Sequence, residues 1–141
     1  MSDQAKTSRL PIRQEMFQLK YSIDFTDGGN SGAIGVHELT QVLPKYNDII
    51  DVCFRVVEAC VGTSGTISFG VDDDSEPDDL LDDTAVASLT LDAAIDGIPT
   101  IGTDATHIAI TTADKAINYE IKTTAFSAGK IDMIVTFKPT K

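Results

Sequence analysis

The sequence contains no tryptophan, only two cysteines, and half as many basic side chains as acidic ones. Without tryptophan there is no Cys and Trp framework of the antibody kind. On one extended strand Cys53 and Cys60 would lie about 23 Å apart at roughly 3.3 Å per residue, beyond the reach of a disulfide. With no CxxC spacing and no neighbouring histidine, the two cysteines read as half-buried small apolar residues rather than a metal or redox pair. Eleven Lys and Arg against 22 Asp and Glu leave a net charge of -11 and a pI near 4.3. That balance argues against nucleic acid, whose binders draw affinity from clustered basic residues. No stretch approaches the roughly 18 apolar residues of a membrane span. Residues 1–18 lack the apolar core behind a basic end that marks a secretory signal, so synthesis in the cytoplasm is expected.

Catalytic chemistry is equally sparse. No GxSxG turn or phosphate loop is present, and His37 and His107 stand outside any motif. Neither an enzyme nor a cofactor is expected. What remains is a chain of 141 residues, 42% hydrophobic, long enough for one soluble domain with a real core.

The apolar residues of that domain alternate. Leu19, Tyr21, Ile23 and Phe25 are interleaved with polar residues before the turn Asp27-Gly28-Gly29-Asn30, and Ile34 and Val36 continue in a weaker strand with Leu39 displaced from their parity. Residues 43–48 read as a loop feeding the central stretch. There Ile50, Val52, Phe54 and Val56 alternate, and after Gly62-Thr63-Ser64-Gly65 the pattern returns in Ile67, Phe69 and Val71. Helical spacing also fits Ile50, Cys53, Phe54, Val57 and Cys60, but the Ile and Val content and the glycine-containing turn favour a hairpin. Residues 84–95 suit a strand or a short helix equally, and His107, Ile108 and Ile110 begin a short strand. A second hairpin is read in Ile117, Tyr119 and Ile121, the turn Ser127-Ala128-Gly129-Lys130, and Ile131, Met133, Val135 and Phe137. Seven or eight short strands without a long helix predict an all-β fold: an antiparallel β-sandwich, jelly-roll-like or immunoglobulin-like, with an extended N-terminal arm. Residues 1–18 form the arm and 19–141 the domain.

Two acidic features invite a calcium reading. Asp27, Ser31, Gly32, Ile34 and Glu38 fall at positions one, five, six, eight and twelve of an EF-hand loop. Gly29 at position three has no side-chain oxygen, and a strand stands where the entering helix belongs, so a glycine-rich hairpin accounts for the same residues without a metal. The run Asp72, Asp73, Asp74, Glu76, Asp78, Asp79, Asp82 and Asp83 lacks fixed ligand spacing and reads as a solvated loop.

The order Tyr21-Ser22-Ile23-Asp24-Phe25 with a glycine-rich turn, Leu43-Pro44, the long strand 49–60, Thr66 to Val71, Ala85 to Leu89 and the ending Phe126 to Met133 resembles the small head proteins of tailed bacteriophages of the decoration, or cement, class. The resemblance spans residues 19–137. It implies a β-sandwich without catalytic residues that adds to the outside of an assembled capsid and stabilises it, in contact with the major capsid protein and with copies of itself, for instance as a trimer. No nucleic acid or membrane partner is implied, and the location is the virion exterior. In that setting Lys6, Arg9, Leu10, Ile12 and Arg13 of the arm are the candidate capsid contacts, two apolar residues between cations. The alternatives are a virion fibre or carbohydrate-binding recognition module, for which Tyr46 is the main loop aromatic, and a calcium-binding protein.

Overall fold

The computed structural model describes residues 16–27, 29–71, 77–98 and 108–140. Nine strands follow in chain order: β1 (Phe17–Asp24), β2 (Gly35–Leu43), β3 (Asn47–Val61), β4 (Thr66–Val71), β5 (Leu81–Ala85), β6 (Ala94–Asp96), β7 (Ile108–Ile110), β8 (Lys115–Lys122) and β9 (Ala128–Pro139). A single 3-10 turn at Val86–Ser88 separates β5 from β6. No helix among the described residues is long and apolar enough to cross a membrane.

The strands form two antiparallel sheets. One has the order β1-β9-β3-β6, with β7 also paired to β3, and the other β2-β8-β4-β5. The alternation read from the sequence is largely the alternation of burial. Tyr21, Ile23 and Phe25, then Val52, Phe54 and Val56, Ile67 and Phe69, Ile117, Tyr119 and Ile121, and Ile131 to Phe137 at every second residue all fill the space between the sheets. Phe54, Phe69 and Tyr119 stand in a chain of ring contacts at 4.9 and 5.8 Å across the middle of the core.

The expected hairpins are absent. β1 and β2 lie in different sheets, as do β3 and β4, and β8 and β9. Each connection is an arch that carries the chain from one sheet to the other. Four residues between β3 and β4 suffice, because packed sheets stand about 10 Å apart and an extended residue spans about 3.3 Å. A short glycine-containing connection therefore fits an arch as well as a hairpin, and packing decides between them. At Gly65 a β-carbon would run into the Thr124 carbonyl oxygen and come within 2.8 Å of the Phe126 ring. The glycine is needed because the β8–β9 arch presses on the β3–β4 arch, not because a tight hairpin turn demands it.

With consecutive strands facing each other across the core, the strand order is that of a jelly roll. In an immunoglobulin sandwich several consecutive strands pair within one sheet, and among the described residues only β4 and β5 do so.

Four local expectations also change. Ile34, just before β2, and Val36 on it have the outward parity, while Leu39 and Leu43, four residues apart, share the inward one and reach the core. Leu43 and Asn47 belong to strands, so the loop expected over 43–48 shrinks to Pro44–Tyr46. In β3 a shift between Ile49 and Asp51 lets both Ile49 and Ile50 turn away from solvent. The acidic run does not remain loop to its end: Leu81 is buried and pairs with Phe69, and Asp82 and Asp83 already lie on β5, where its register along β4 shifts.

Candidate functional site

The arches converge at one end of the sandwich. The Phe126 amide donates to the Gly32 carbonyl at 2.8 Å, the Ser127 amide to Val61 at 2.9 Å and the Phe25 amide to Gly129 at 2.9 Å. The buried Phe126 ring meets Phe25 at 5.5 Å. Part of the candidate calcium loop is tied into this closure, through Ser31 and Gly32. Asp24 accepts from the Thr26 and Asp27 amides at 2.8 and 3.0 Å, the Ser31 hydroxyl accepts from the Ala33 amide, and the Ser31 carbonyl accepts from the Tyr119 hydroxyl at 2.8 Å. Glu38 lies away from them, exposed on β2. His37 packs on Tyr119 and its Nε2 lies 2.7 Å from the Ala33 carbonyl, which ties it to the arch. Gly28 and His107 lie outside the described residues, as do Asp72, Asp73, Asp74 and Glu76.

The two thiols are muted. Burial pushes the Cys60 thiol up to about 11, and Cys53, on the opposite face of its sheet, is raised by desolvation and then by Asp51 and Asp96. Neither forms a thiolate readily at neutral pH. Among the described residues no group of three His, Cys, Asp or Glu side chains stands ready to hold a metal. Tyr46 is held into the fold by its amide, which donates to Thr111, and by its carbonyl, which accepts from Thr140.

The surface is more informative than the interior. Among the described residues β1 and β2 are the outer strands of their sheets, and both lie on the same rim because an arch joins them. Across that rim the Tyr21 hydroxyl donates to the Val42 carbonyl at 2.9 Å, and burial holds the phenol up to about 12. Beyond Tyr21 the rim opens. Phe17 and Leu19 share the inward parity of Tyr21 and Ile23, yet 37% and 38% of their surface meets solvent. Phe17 is steadied by stacking on Phe137 at 5.1 Å. Met16, Ile34, Val36 and Val42 lie on the same two strands or at their starts, so six of the ten large apolar residues exposed among the described residues share this rim. Such an edge invites another chain. Sequence alternation assigned Leu19 to the core, and only its place beyond the reach of the facing sheet leaves it exposed.

The candidate contacts Lys6, Arg9, Leu10, Ile12 and Arg13 lie outside the described residues. The chain they belong to enters the fold at Met16, on the apolar rim.

The sequence matches no protein-family model and no curated protein. Its fold does match chains of solved structures. A chain in the acidic stable capsid structure of Helicobacter pylori bacteriophage KHP30 has a TM-score of 0.61 at 18% identity, covering 91% of each chain. A chain from the capsid of Ralstonia phage GP4 has a TM-score of 0.60 at 14% identity over 90% of this chain and 86% of the other. A chain of the cyanophage Pam1 capsid asymmetric unit reaches 0.62 at 14% identity over 89% and 86%. This chain therefore has, over about nine-tenths of its length, the fold of chains that stand in the capsids of three bacteriophages.

Proposed function

We propose that this chain is a non-enzymatic structural protein of a bacteriophage virion, one that adds to the outer surface of the capsid and stabilises or decorates the shell. The observation that carries the reading is the match of nearly the whole sandwich to chains of three phage capsids. Its charge favours the exterior, because a net charge of -11 repels packaged nucleic acid. Its partners in this reading are the major capsid protein and further copies of itself, and it is made in the host cytoplasm before joining the virion.

Attachment is assigned to the N-terminal segment. Lys6, Arg9 and Arg13 pair with carboxylates on the shell while Leu10 and Ile12 cover apolar surface between them. Ordering a segment costs conformational entropy that contacts with the shell must offset. The test is to mix the purified chain, intact or lacking residues 1–13, with shells that carry none of it. Occupancy is then read by electron cryomicroscopy over a range of salt. The intact chain is expected to fill its sites, and the truncated chain to melt at nearly the same temperature but fill fewer, increasingly so as salt rises. Full occupancy by the truncated chain at every salt would move attachment onto the sandwich. No addition by the intact chain would end the shell reading.

A further inference from the structure

We infer that the apolar rim is a self-complementary interface on which a second copy of this chain pairs edge to edge, β1 of each copy lying antiparallel to β2 of the other. The inference deepens the self-association included in the reading above, but replaces a trimer by a closed pair.

The argument starts from the backbone. β9 is the one strand paired with β1 among the described residues, and β8 the one paired with β2. The Phe25 amide donates toward β9, at Gly129, while the amide and carbonyl of Asp24 turn to Asn30 on the outer side. In an antiparallel ladder this direction alternates residue by residue. The backbone groups of Gln18, Lys20 and Ser22 therefore face outward along the rim. Exposed apolar residues flank them, and an unpaired edge is a ready template for another strand.

The symmetry follows from the arch. β1 and β2 run in opposite directions and share one rim, so a two-fold axis parallel to the strands sets β1 against β2 of the second copy, antiparallel, at two places at once. Such an interface closes after two copies. A two-fold axis perpendicular to the sheets would instead set β1 against β1.

Charge selects between the two arrangements. The middle of β1 carries Lys20, whose side chain is 64% exposed and reaches Asp132 only at 3.9 Å. The middle of β2 carries the exposed Glu38. Lys20 lies four residues from the arch end of β1 and Glu38 three from the arch end of β2, about 13 and 10 Å along strands rising roughly 3.3 Å per residue. An axis parallel to the strands preserves those heights, so Lys20 faces Glu38 of the second copy, twice. Both side chains have the parity opposite to a buried neighbour, Tyr21 and Leu39, so they emerge on the same face of the joined sheet. Pairing β1 with β1 would leave these charges without that complement.

The test uses the full-length chain and no capsid, so its outcome is independent of shell addition. Sedimentation equilibrium should give the mass of two chains. Lys20→Glu and Glu38→Lys, each at an exposed position, should each raise the dissociation constant about a hundredfold by placing like charges opposite each other, and the double exchange should restore it to within about threefold. Circular dichroism checks that each variant is folded. A single-chain mass throughout the accessible concentrations, a three-chain mass, or a double exchange no better than its singles would overturn the proposal. So would a chain that stays single in solution and gains amide protection along β1 only when shells are added, because the capsid chain would then be the occupant.

Discussion

The two rims of the sandwich manage the same liability in opposite ways. On one, β1 and β2 are eight and nine residues long and expose Phe17, Leu19, Val36 and Val42. On the other, β5 has five residues and β6 and β7 three each, and Asp82, Asp83 and Asp96 stand on them or beside the buried leucines. Short strands and charges are how sheet edges are kept from pairing. The acidic rim is protected in both ways, whereas the apolar rim keeps long strands and carries charge mainly at Lys20 and Glu38 in their middles. The lesson is that one molecule's two edges can carry different instructions: one side is kept for water and the other is made to be covered.

The comparison breaks or sharpens most visibly through burial. Leu80 and Leu81 anchor the acidic rim in the core, Leu80 fully buried, with its amide donating to Phe69 at 2.9 Å. Leu80→Ala should lower the unfolding free energy by about 2 to 5 kcal/mol in urea titrations, whereas Leu19→Ala, measured where the chain is a monomer, should cost less than about 1 kcal/mol. Equal losses would show that Leu19 belongs to the core.

Alkaline pH should separate the rims next. Tyr21 and Tyr119 both ionise near 12 in the folded chain because burial penalises the phenolate. Their contribution is complete below the ordinary value of 10 and is lost as pH climbs through 12, since the unfolded chain gives up its protons first. Cys60, near 11 when folded, acts with the same sign from a lower starting point. The melting temperature should fall between pH 10 and 12, and Tyr21→Phe should flatten that fall at the apolar rim while costing about 1 kcal/mol at neutral pH through the lost bond to Val42. An unchanged pH profile would mean that the phenol does not close the gap between β1 and β2.

The smallest effect belongs to the acidic rim's surface. Lys122 sits 3.3 Å from Asp83 and 3.9 Å from Glu120. Asp83→Asn should change stability by less than about 1 kcal/mol, and less still at high salt. A larger loss would give the acidic rim a structural role beyond solvation.

Much of this architecture was legible because period-2 alternation is local. Tyr21 to Phe25, Val52 to Val56 and Ile131 to Phe137 could be assigned to one face without knowing their neighbours. Pairing could not be read in the same way. Gly62 to Gly65 is short enough for a hairpin and long enough to cross between sheets, and the Phe126 ring that settles the matter comes from sixty residues away. A bulge hid the joint burial of Ile49 and Ile50, and the exposed Ile34 and Val36 hid the inward parity of β2. On the outer face of β8, Asn118 and Ser68 beside it are buried, and Pro77 stands over Gly70 where a β-carbon would come within 2.6 Å. No pattern in the strands announces such a cover. The apolar rim was half legible: Phe17, Leu19 and Val42 were visible as apolar strand residues, but their exposure depends on where the facing sheet stops.

The pairing of Phe17 with Phe137 and of Asp24 with Lys130 has a mechanical consequence. β1 and β9 are adjacent antiparallel strands, and their outer ends leave the fold together, opposite the arches. Tension applied through both ends would separate the two strands like a zipper, one rung after another, instead of shearing all their hydrogen bonds at once. A load shared across the two sheets would meet the arches, where the chain itself crosses between the sheets. The direction of pull, more than the number of bonds, would then set the force at which this sandwich opens.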